Sequence, residues 1–343
     1  MRVAVLPGDG IGHEVVPAAL EVLEAAGAGF EWVRFDWGCE RYLADGAMMP
    51  GDALETLAGF DAVFLGAVGA PGVPDHVSLW GMLIPIRRGF DQYVNLRPIR
   101  LLDGVRSPLA KPSAIDLVVV RENVEGEYSE VGGRLYRGRP EELAIQEAVF
   151  TRRGTERVVR YAFDLAERRK GRLTSATKSN GIIHTMPFWD EVVEEVAAEH
   201  PDVEVERVLI DALCARVVSA PGSLDVIVAS NLFGDILSDL TAAVAGSIGI
   251  APSANLNPEC AHPSMFEPVH GSAPDIAGRG VANPIAQVWS GALMLEHLGH
   301  ADAAAALMAA IEHVLADPAH HTADLGGDAD TAAVTAALID ALS

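Results

Sequence analysis

The sequence has few cysteines, no long apolar run and only a short apolar stretch at its start. Its three cysteines, Cys39, Cys214 and Cys260, are an odd number without the spacing of metal ligands, which indicates free thiols in a reducing compartment. No window approaches the roughly 18 uninterrupted apolar residues of a membrane span. The opening stretch "MRVAVLPGDGIG" is too short for the core of a signal peptide. These absences predict a cytoplasmic protein with no membrane partner.

Basic residues are also scarce. The chain of 343 residues has 25 Lys and Arg against 48 Asp and Glu, which gives a formal net charge of −23. This charge argues against nucleic acid or an anionic membrane as a partner, but it allows a small anionic substrate where arginines cluster. With 50% hydrophobic residues the chain is typical of a globular protein, and its length predicts about two domains.

Apolar runs typical of buried strands alternate with segments of helical pattern. This alternation predicts an α/β fold with a largely parallel sheet. Gly- and Pro-rich stretches at 66–74 and 249–263 are the expected crossings between domains. The predicted strands are 2–7, 61–68, 115–120, 173–177, 203–210 and 224–229, and the predicted helices are 13–26, 155–169, 186–199 and 301–316.

Residues 126–150 differ from the rest of the chain. They contain Gly pairs, aromatic residues and alternating polarity, which together predict a hairpin-like arm. A protruding arm often embraces a partner subunit, and an ordinary surface hairpin is the alternative interpretation.

Charged and amide side chains follow the predicted strands in the middle of the chain. Ligands of open α/β sheets bind beyond the carboxyl ends of the strands, so these side chains are expected to share one edge. Any one of them alone could be a solvated charge, but their coincidence at strand ends favours a site. They are Arg121, Lys178, Asp211, Asn231, Asp235 and Asp239.

Three of these residues are candidate metal ligands. The carboxylates of Asp211, Asp235 and Asp239 would suit Mg²⁺ or Mn²⁺, which prefer oxygen ligands. Asp235 could instead compensate the dipole at a helix N-terminus that begins near Asn231, or belong to a solvated acidic face. Asp239 lies one turn deeper in the helix, where compensation of the dipole does not explain it.

A second cluster contains the arginines of "GMLIPIRRGFDQYVNLRP". Guanidinium groups bind carboxylates in a bidentate manner, so Arg87, Arg88 and Arg97 would suit a dicarboxylate. Solvated arginines are the alternative, because the spacing alone is a weak signal.

Two glycine-rich stretches invite comparison with nucleotide-binding loops. "PGDGIG" lacks the G-x-G-x-x-G spacing and the acidic partner of a Rossmann fingerprint, so we do not expect a Rossmann fold. The stretch "EPVHGSAPDIAGRGVANP", residues 267–284, offers side chains that could bond to ribose and adenine.

Taken together, these motifs resemble the β-decarboxylating dehydrogenases, the family of isopropylmalate, isocitrate, tartrate and D-malate dehydrogenases. The resemblance runs nearly from end to end and rests on "LPGDGIG", "NLRP", "VVVREN", "EGEY", "TKSN", "IDAL", "NLFGDILSDL" and "FEPVHGSAPDIAG". It implies a two-domain isopropylmalate dehydrogenase-like fold with a large mixed, mostly parallel sheet. Residues 1–95 with 250–343 would form the cofactor-binding domain. Residues 96–249 would form the substrate, metal and dimerisation domain, with the arm at about 126–150.

Within the family, the stretches "VPDHVSLWG", "GIAPSANLNPE" and "NPIAQVWSGALML" are most similar to the tartrate/D-malate branch. Isocitrate enzymes place Ser and Asn at the positions of Gly81 and Leu83, so isocitrate is not the expected substrate. Leu83 is apolar as in isopropylmalate enzymes, whereas Trp80 replaces the acidic residue that those enzymes carry.

The resemblance also implies roles for individual residues. Lys178 would take the proton of the C2 hydroxyl and Tyr128 would protonate the enol after CO₂ leaves. Asp211 and Lys178 would reach across from the second subunit of a homodimer whose active site is shared. The implied substrate contacts are Arg87, Arg97, Arg121 and Leu83, the metal ligands Asp211, Asp235 and Asp239, and the cofactor contacts His270, Gly271, Ser272, Ala273, Asp275, Ile276 and Asn283.

The implied activity is oxidation of a 2-hydroxy dicarboxylate, D-malate or tartrate, with β-decarboxylation. Asp275 would bond to ribose hydroxyls and repel a 2′-phosphate, so NAD is the expected cofactor, with Mn²⁺ or Mg²⁺. K⁺ is a further candidate cation. The alternatives are a 3-isopropylmalate dehydrogenase, a non-catalytic nucleotide-binding regulatory subunit and a metal-binding scaffold without activity.

Overall fold

The computed structural model describes residues 1–112 and 114–343. In this part of the chain the strands are β1 (Arg2–Gly8), β2 (Glu31–Arg34), β3 (Ala62–Ala67), β4 (Val94–Arg100), β5 (Asp116–Glu122), β6 (Gly132–Leu135), β7 (Leu143–Gln146), β8 (Arg172–Thr177), β9 (Glu204–Leu209), β10 (Val226–Ala229), β11 (Pro252–Leu256) and β12 (Ser264–Pro268).

The α-helices of the same part are α1 (Gly12–Ala25), α2 (Cys39–Asp45), α3 (Ala53–Leu57), α4 (Asp75–Ser78), α5 (Ile84–Gly89), α6 (Arg152–Glu167), α7 (Thr185–Ala197), α8 (Ile210–Ser219), α9 (Asn231–Val244), α10 (Ile285–His297), α11 (Ala301–Ala316) and α12 (Thr331–Leu342). A single π-helical turn, Leu79–Leu83, joins α4 to α5. No helix among the described residues has both the length and the apolarity needed to cross a membrane.

Ten of these strands form one mixed sheet, in the order β2-β1-β3-β12-β11-β4-β5-β10-β8-β9. The pairs β12–β11, β11–β4 and β4–β5 are antiparallel, and the other neighbours are parallel. The sheet is therefore mostly parallel with an antiparallel centre, which agrees with the expected fold class.

Helices cover both faces of the sheet, so the inner strands are apolar without alternation. On β1, Val3 and Val5 pack into one apolar cluster while Ala4 and Leu6 pack into the other. All residues of β3 and β10 are buried. This double coverage explains why these strands were recognisable as short continuous apolar runs.

The predicted strands and helices are present, with ends shifted by a few residues, and residues 126–150 contain the hairpin β6–β7. The stretch 249–263, expected as a crossing between domains, contains the central strand β11. Its sequence "PSANL" is short and partly polar. Asn255 and Ser253 can be buried there because they accept hydrogen bonds from Nδ2 of Asn95, at 3.0 and 2.8 Å. The sheet runs without interruption through β4, where the expected domain boundary at 95/96 falls.

Candidate active site

Three buried arginines meet at the middle of the sheet. Arg97 lies on β4, Arg121 lies near the end of β5, and Arg87 lies on α5, which packs beside them. Only 7%, 6% and 2% of Arg87, Arg97 and Arg121 are exposed. Burial of a guanidinium is costly unless it is paired, so the acidic partners of these arginines define the site.

Asp235 on α9 is the central acidic partner. Its Oδ1 accepts a hydrogen bond from Nη1 of Arg121 and lies 3.5 Å from Nη1 of Arg97. Its Oδ2 accepts a hydrogen bond of 2.9 Å from the hydroxyl of Tyr128. Burial would raise the pKa of Asp235, but Arg121 and Arg97 outweigh it and hold the pKa below its usual value. Burial and the neighbouring Asp235 carboxylate raise the pKa of Tyr128 to about 12.

Arg121 is held from two directions. Its Nε and Nη2 donate to Oδ1 of Asn231, at 3.1 and 2.7 Å, and Nδ2 of Asn231 donates to the carbonyl of Glu125 at 3.0 Å. Gly234 allows this close packing of α9 on β5, since a Cβ at that position would lie 2.6 Å from Cβ of Arg121. The guanidinium plane is thereby fixed in orientation.

Arg87 forms a buried ion pair with Glu267. Its Nη2 lies 2.7 Å from Oε1 of Glu267, which also accepts a hydrogen bond of 2.7 Å from Nδ2 of Asn255. The sequence-based prediction missed Glu267 and Asn255. Glu267 is the first residue of the stretch 267–284 that was considered for a cofactor, and its place near the end of β12 was the available signal for a role in the site.

Asp239 lies next to Asp235, so that two carboxylates of α9 face the same guanidinium. Oδ1 of Asp239 lies 3.7 Å and Oδ1 of Asp235 lies 3.5 Å from the same atom, Nη1 of Arg97. Burial raises the pKa of Asp239, while Arg97 opposes the shift. Two neighbouring carboxylates, one of them 58% exposed in its side chain, are oxygen donors of the kind that a hard divalent cation prefers.

Lys178 and Asp211 form a separate pair at the ends of β8 and β9. Nζ of Lys178 lies 2.5 Å from Oδ1 of Asp211, and the side chain of Asp211 is 67% exposed. Hydrogen bonding from Lys178 lowers the pKa of Asp211. Within one chain Asp211 does not join Asp235 and Asp239. Among the described residues, only Asp164, Glu167 and His200 bring three ligand atoms within 4.8 Å of one another.

The segment that carries Tyr128 is attached to α5 and to the start of α9. Arg88 donates to the carbonyls of Val124 and Tyr128, at 3.2 and 2.7 Å. Glu127 accepts from the Ser230 hydroxyl at 2.7 Å and from the Leu232 amide at 3.1 Å. Arg88 therefore holds the segment through its backbone carbonyls, although it also lines the small cavity beside Arg87 and Tyr128.

Leu83 ends the π-helical turn that precedes Arg87. It is half-buried and packs against the apolar cluster that contains Met82 and Ile86. A small cavity next to it is lined by Leu79, Ile84, Arg87, Asn123, Tyr128 and Asn231, among others.

The predicted cofactor loop lies against the start of α1. The carbonyl of Ser272 accepts a hydrogen bond of 2.9 Å from the Ile11 amide, and Ala273 and Ile276 pack on Ile11 and Val15. Asp275 and Gly271 are exposed. Asp275 makes no ion pair within the described part of the chain.

The side chains of His270 and Asn283 differ in their availability. Nε2 of His270 is buried and has no hydrogen-bond partner among the described residues, and burial lowers the pKa of this imidazole. The hydrogen-bonding capacity of this atom is therefore unused among the described residues. Asn283 is already used, because its Nδ2 donates to Asp324 at 3.1 Å and its Oδ1 accepts from the Ile285 amide at 3.0 Å.

The structure thus assembles most of the predicted substrate and metal residues at one place and leaves others apart. Lys178 and Asp211 form a pair of their own. The predicted cofactor loop follows β12, which lies three strands away from β5 in the sheet. The residues that share direct contacts at the centre are Arg97, Arg121, Tyr128, Asp235 and Asp239.

Comparisons with known proteins show what the whole chain is similar to. The family model for isocitrate/isopropylmalate dehydrogenase matches residues 2–342. The chain is 56% identical over 340 residues to a probable tartrate dehydrogenase/decarboxylase of Bacillus subtilis (strain 168), covering 97% of this chain and 96% of the relative. It is 55% identical over 352 residues to a decarboxylating D-malate dehydrogenase of Escherichia coli (strain K12), covering 98% and 97%. The crystal structure of isocitrate dehydrogenase from Methylococcus capsulatus superposes with a TM-score of 0.91 at 35% identity, covering 99% of both chains.

Proposed function

Because the chain belongs to the isocitrate/isopropylmalate dehydrogenase family, we propose that it oxidises D-malate to pyruvate and CO₂, or tartrate to oxaloglycolate, with NAD and a divalent cation. Relatives that share more than half of its sequence are named as decarboxylating dehydrogenases, so the chain is an oxidoreductase of this reaction class. The substrate, the cofactor and the cation are the proposed part.

The observation that carries the proposal is the convergence of three buried arginines on one cleft. Three carboxylates lie against these arginines: Glu267 is buried, Asp235 is half-buried and Asp239 is exposed. Burial and mutual repulsion lower the pKa values of Arg97 and Arg121. A dianionic substrate would relieve this repulsion, since each of its carboxylates can accept two parallel N–H donors from a guanidinium.

With either substrate the reaction removes a hydride from C2 and a proton from its hydroxyl. With D-malate a carboxylate then leaves as CO₂ and a proton is added at C3, whereas oxidation of tartrate to oxaloglycolate stops before this step. In our proposal Lys178 takes the hydroxyl proton, and the hydroxyl of Tyr128 donates the proton at C3. Arg121, fixed by Asn231, holds the carboxylate that stays, so the C2–C3 bond keeps a constant orientation beside Tyr128.

A bound nicotinamide would accept the hydride, and a cation held by Asp235 and Asp239 would polarise the C2 oxygen. Asp211 would complete the cation's ligands from a second copy of the chain. His270, with its unpartnered Nε2, and Asp275 would hold the adenosine half of NAD. An unpaired carboxylate at Asp275 favours ribose hydroxyls over a 2′-phosphate.

A homodimer would explain why Lys178 and Asp211 lie apart from the other site residues in one chain. Exposed apolar side chains lie in the segment after Lys178, on α8 and on α9, at Ile182, Ile183, Val218 and Ile236. The hairpin β6–β7 also exposes apolar residues, which is the composition of a surface that is covered by a partner. The division into domains at 1–95 with 250–343 and at 96–249 remains part of this proposal.

The test is NADH formation with Mn²⁺ on D-malate, L-tartrate, meso-tartrate and 3-isopropylmalate. We expect the highest kcat/KM with D-malate or a tartrate. Leu83, apolar and close to Arg87, favours 3-isopropylmalate as the second candidate, and a highest kcat/KM on that substrate would replace our assignment. Absence of NADH with every substrate would indicate a regulatory subunit or a metal-binding scaffold.

Two variants of the test address the shared site. Lys178→Met should abolish hydride transfer while NAD binding stays near normal, and wild-type turnover in this variant would refute the role of Lys178. A monomeric form should bind Mn²⁺ poorly, because it keeps only Asp235 and Asp239 at the cleft. Tight Mn²⁺ binding by a proven monomer would refute the shared site.

A further inference from the structure

The loop from Ser272 to Ala282 is attached to the rest of the protein at three places. At its start, the carbonyl of Ser272 accepts a hydrogen bond from the Ile11 amide. At its end, the carbonyl of Gly280 accepts from the Thr331 amide at 2.9 Å, and the carbonyl of Ala282 accepts from the Thr331 hydroxyl at 2.6 Å. The third attachment is in the middle of the loop and uses a side chain.

That side chain is Glu14, in the first turn of α1. Its Oε1 accepts a hydrogen bond of 2.6 Å from the Gly278 amide, and its Oε2 accepts one of 2.7 Å from the Gly280 amide. Both carboxylate oxygens are therefore used on backbone donors two residues apart, although more than 260 residues separate them from Glu14 in sequence. Hydrogen bonds to an ionised carboxylate are among the stronger ones in proteins.

The backbone on which Glu14 acts depends on glycine. Gly278 and Gly280 have φ values of 76° and 66°, in the left-handed region that glycine adopts at little cost. Glycine also has the most alternative conformations, so this part of the loop needs an external contact to keep one shape. Asp275, which we propose to contact ribose, lies between the Ser272 attachment and the Glu14 attachment.

We propose that Glu14 is a positioning residue for the cofactor, which holds the loop 272–282 so that Asp275 and Ile276 meet the adenosine half of NAD. This inference rests on the proposed function for its ligand. It adds a residue of α1 that touches neither cofactor nor substrate, and it assigns to the first turn of α1 a role in the affinity for NAD.

The first part of the experiment measures the loop itself. Arg279 lies between the two amides that Glu14 holds and is exposed, so the bond that follows it is a trypsin site. Glu14→Gln keeps the size of the side chain but places an amide group where one carboxylate oxygen accepted. We expect trypsin cleavage after Arg279, followed by mass spectrometry, to be about tenfold faster in Glu14→Gln than in the wild type, because the loop opens more often once a hydrogen bond to the charged carboxylate is lost.

The second part measures the cofactor. We expect the Kd and KM for NAD to rise about tenfold in Glu14→Gln, while kcat at saturating NAD and KM for the hydroxy acid change less than about twofold. The matched control is Glu21→Gln, which changes an exposed residue of the same helix that lines the same surface cavity and makes no hydrogen bond to the loop within the described residues. The control should match the wild type in both parts.

Several results would overturn the inference. Unchanged cleavage after Arg279 would show that Glu14 does not hold the loop, and faster cleavage with an unchanged Kd for NAD would show that the loop does not serve the cofactor. Equal rises in KM for NAD and for the hydroxy acid, or the same changes in Glu21→Gln, would indicate general loosening. If the wild type binds no NAD, the proposed cofactor and the cofactor part of this inference fail together, and the cleavage rates still decide whether Glu14 holds the loop.

Discussion

The hydroxyl of Tyr128 lies 2.9 Å from Oδ2 of Asp235, while the other oxygen of the same carboxylate bonds to Arg121. One carboxylate of α9 thus joins a proposed proton donor to a proposed substrate-binding guanidinium. The two aspartates of α9 lie four residues apart on one face, and Arg97 between them supplies the positive charge that makes their proximity tolerable.

The first prediction concerns the proton donor. Tyr128→Phe keeps the ring but removes the hydroxyl, so steady-state turnover of D-malate should fall about 100-fold, within the usual range for loss of a general acid. Hydride transfer precedes protonation, so a burst of NADH of up to one equivalent per site should persist in stopped-flow measurements. Tyr161→Phe is the control, because Tyr161 donates no hydrogen bond among the described residues. Wild-type turnover by Tyr128→Phe would remove Tyr128 from the mechanism.

The second prediction concerns Gly234, which packs against Arg121. An added Cβ would lie 2.6 Å from Cβ of Arg121 and 3.2 Å from its Cα, so Gly234→Ala must move α9 away from β5. We expect a loss of about 1–3 kcal/mol in the free energy of unfolding and a rise of about tenfold in KM for the dicarboxylate. Gly51→Ala, where no atom lies within 4 Å of the added Cβ, should leave both unchanged. An unchanged KM in Gly234→Ala would mean that the position of Arg121 is not critical for the substrate.

The third prediction separates Arg88 from the other arginines. Arg88 bonds to the carbonyls of Val124 and Tyr128, and its guanidinium lies 5.2 Å from the centre of the Trp80 ring. Arg88→Met should therefore lower kcat about tenfold through displacement of Tyr128, while KM for the dicarboxylate changes less than about threefold.

The control for this change is Arg106→Met, which alters an exposed arginine without an ion pair in the described part of the chain. It should leave both constants unchanged. A large rise in KM with an unchanged kcat for Arg88→Met would instead place Arg88 in contact with the substrate.

Several residues of this site were predictable because their positions follow from helix spacing or from the ends of apolar strands. Asp235 and Asp239 share a helix face at a fixed spacing, and Arg121 lies near the end of an apolar strand, so periodicity and strand ends indicated that they would meet. Lys178 also follows a strand, but within one chain it pairs with Asp211 away from them. The hairpin β6–β7 was recognisable from its alternating polarity and Gly pairs.

The contacts that sequence reasoning missed join residues far apart in the chain. Arg87 and Glu267 are 180 residues apart, and no local pattern in either segment indicates that the two will pair. Strand β11 was missed for a related reason, because its buried Asn255 is polar and becomes acceptable only through its bonds to Asn95 and Glu267. Arg88 was grouped with the substrate arginines, since composition cannot show that its donors face backbone carbonyls.

The last prediction concerns Glu122, a fully buried carboxyl at the end of β5. Burial raises its pKa from 4.5 to about 7, although the amides of Val124 and Glu125 donate to it at 3.0 and 2.9 Å; Glu125 adds to the rise and Arg157 opposes it. In the folded state Glu122 therefore keeps a proton that the unfolded chain releases above about pH 4.5. The contribution of Glu122 to the free energy of unfolding is fully present below that pH. It is lost as the pH rises to about 7, by about 3 kcal/mol.

Glu122→Gln carries no titrating group, so chemical unfolding at pH 5, 6, 7 and 8 should show wild-type stability declining relative to this variant. Parallel pH profiles, or a wild type that gains relative stability with pH, would show that Glu122 is ionised in the folded protein throughout this range.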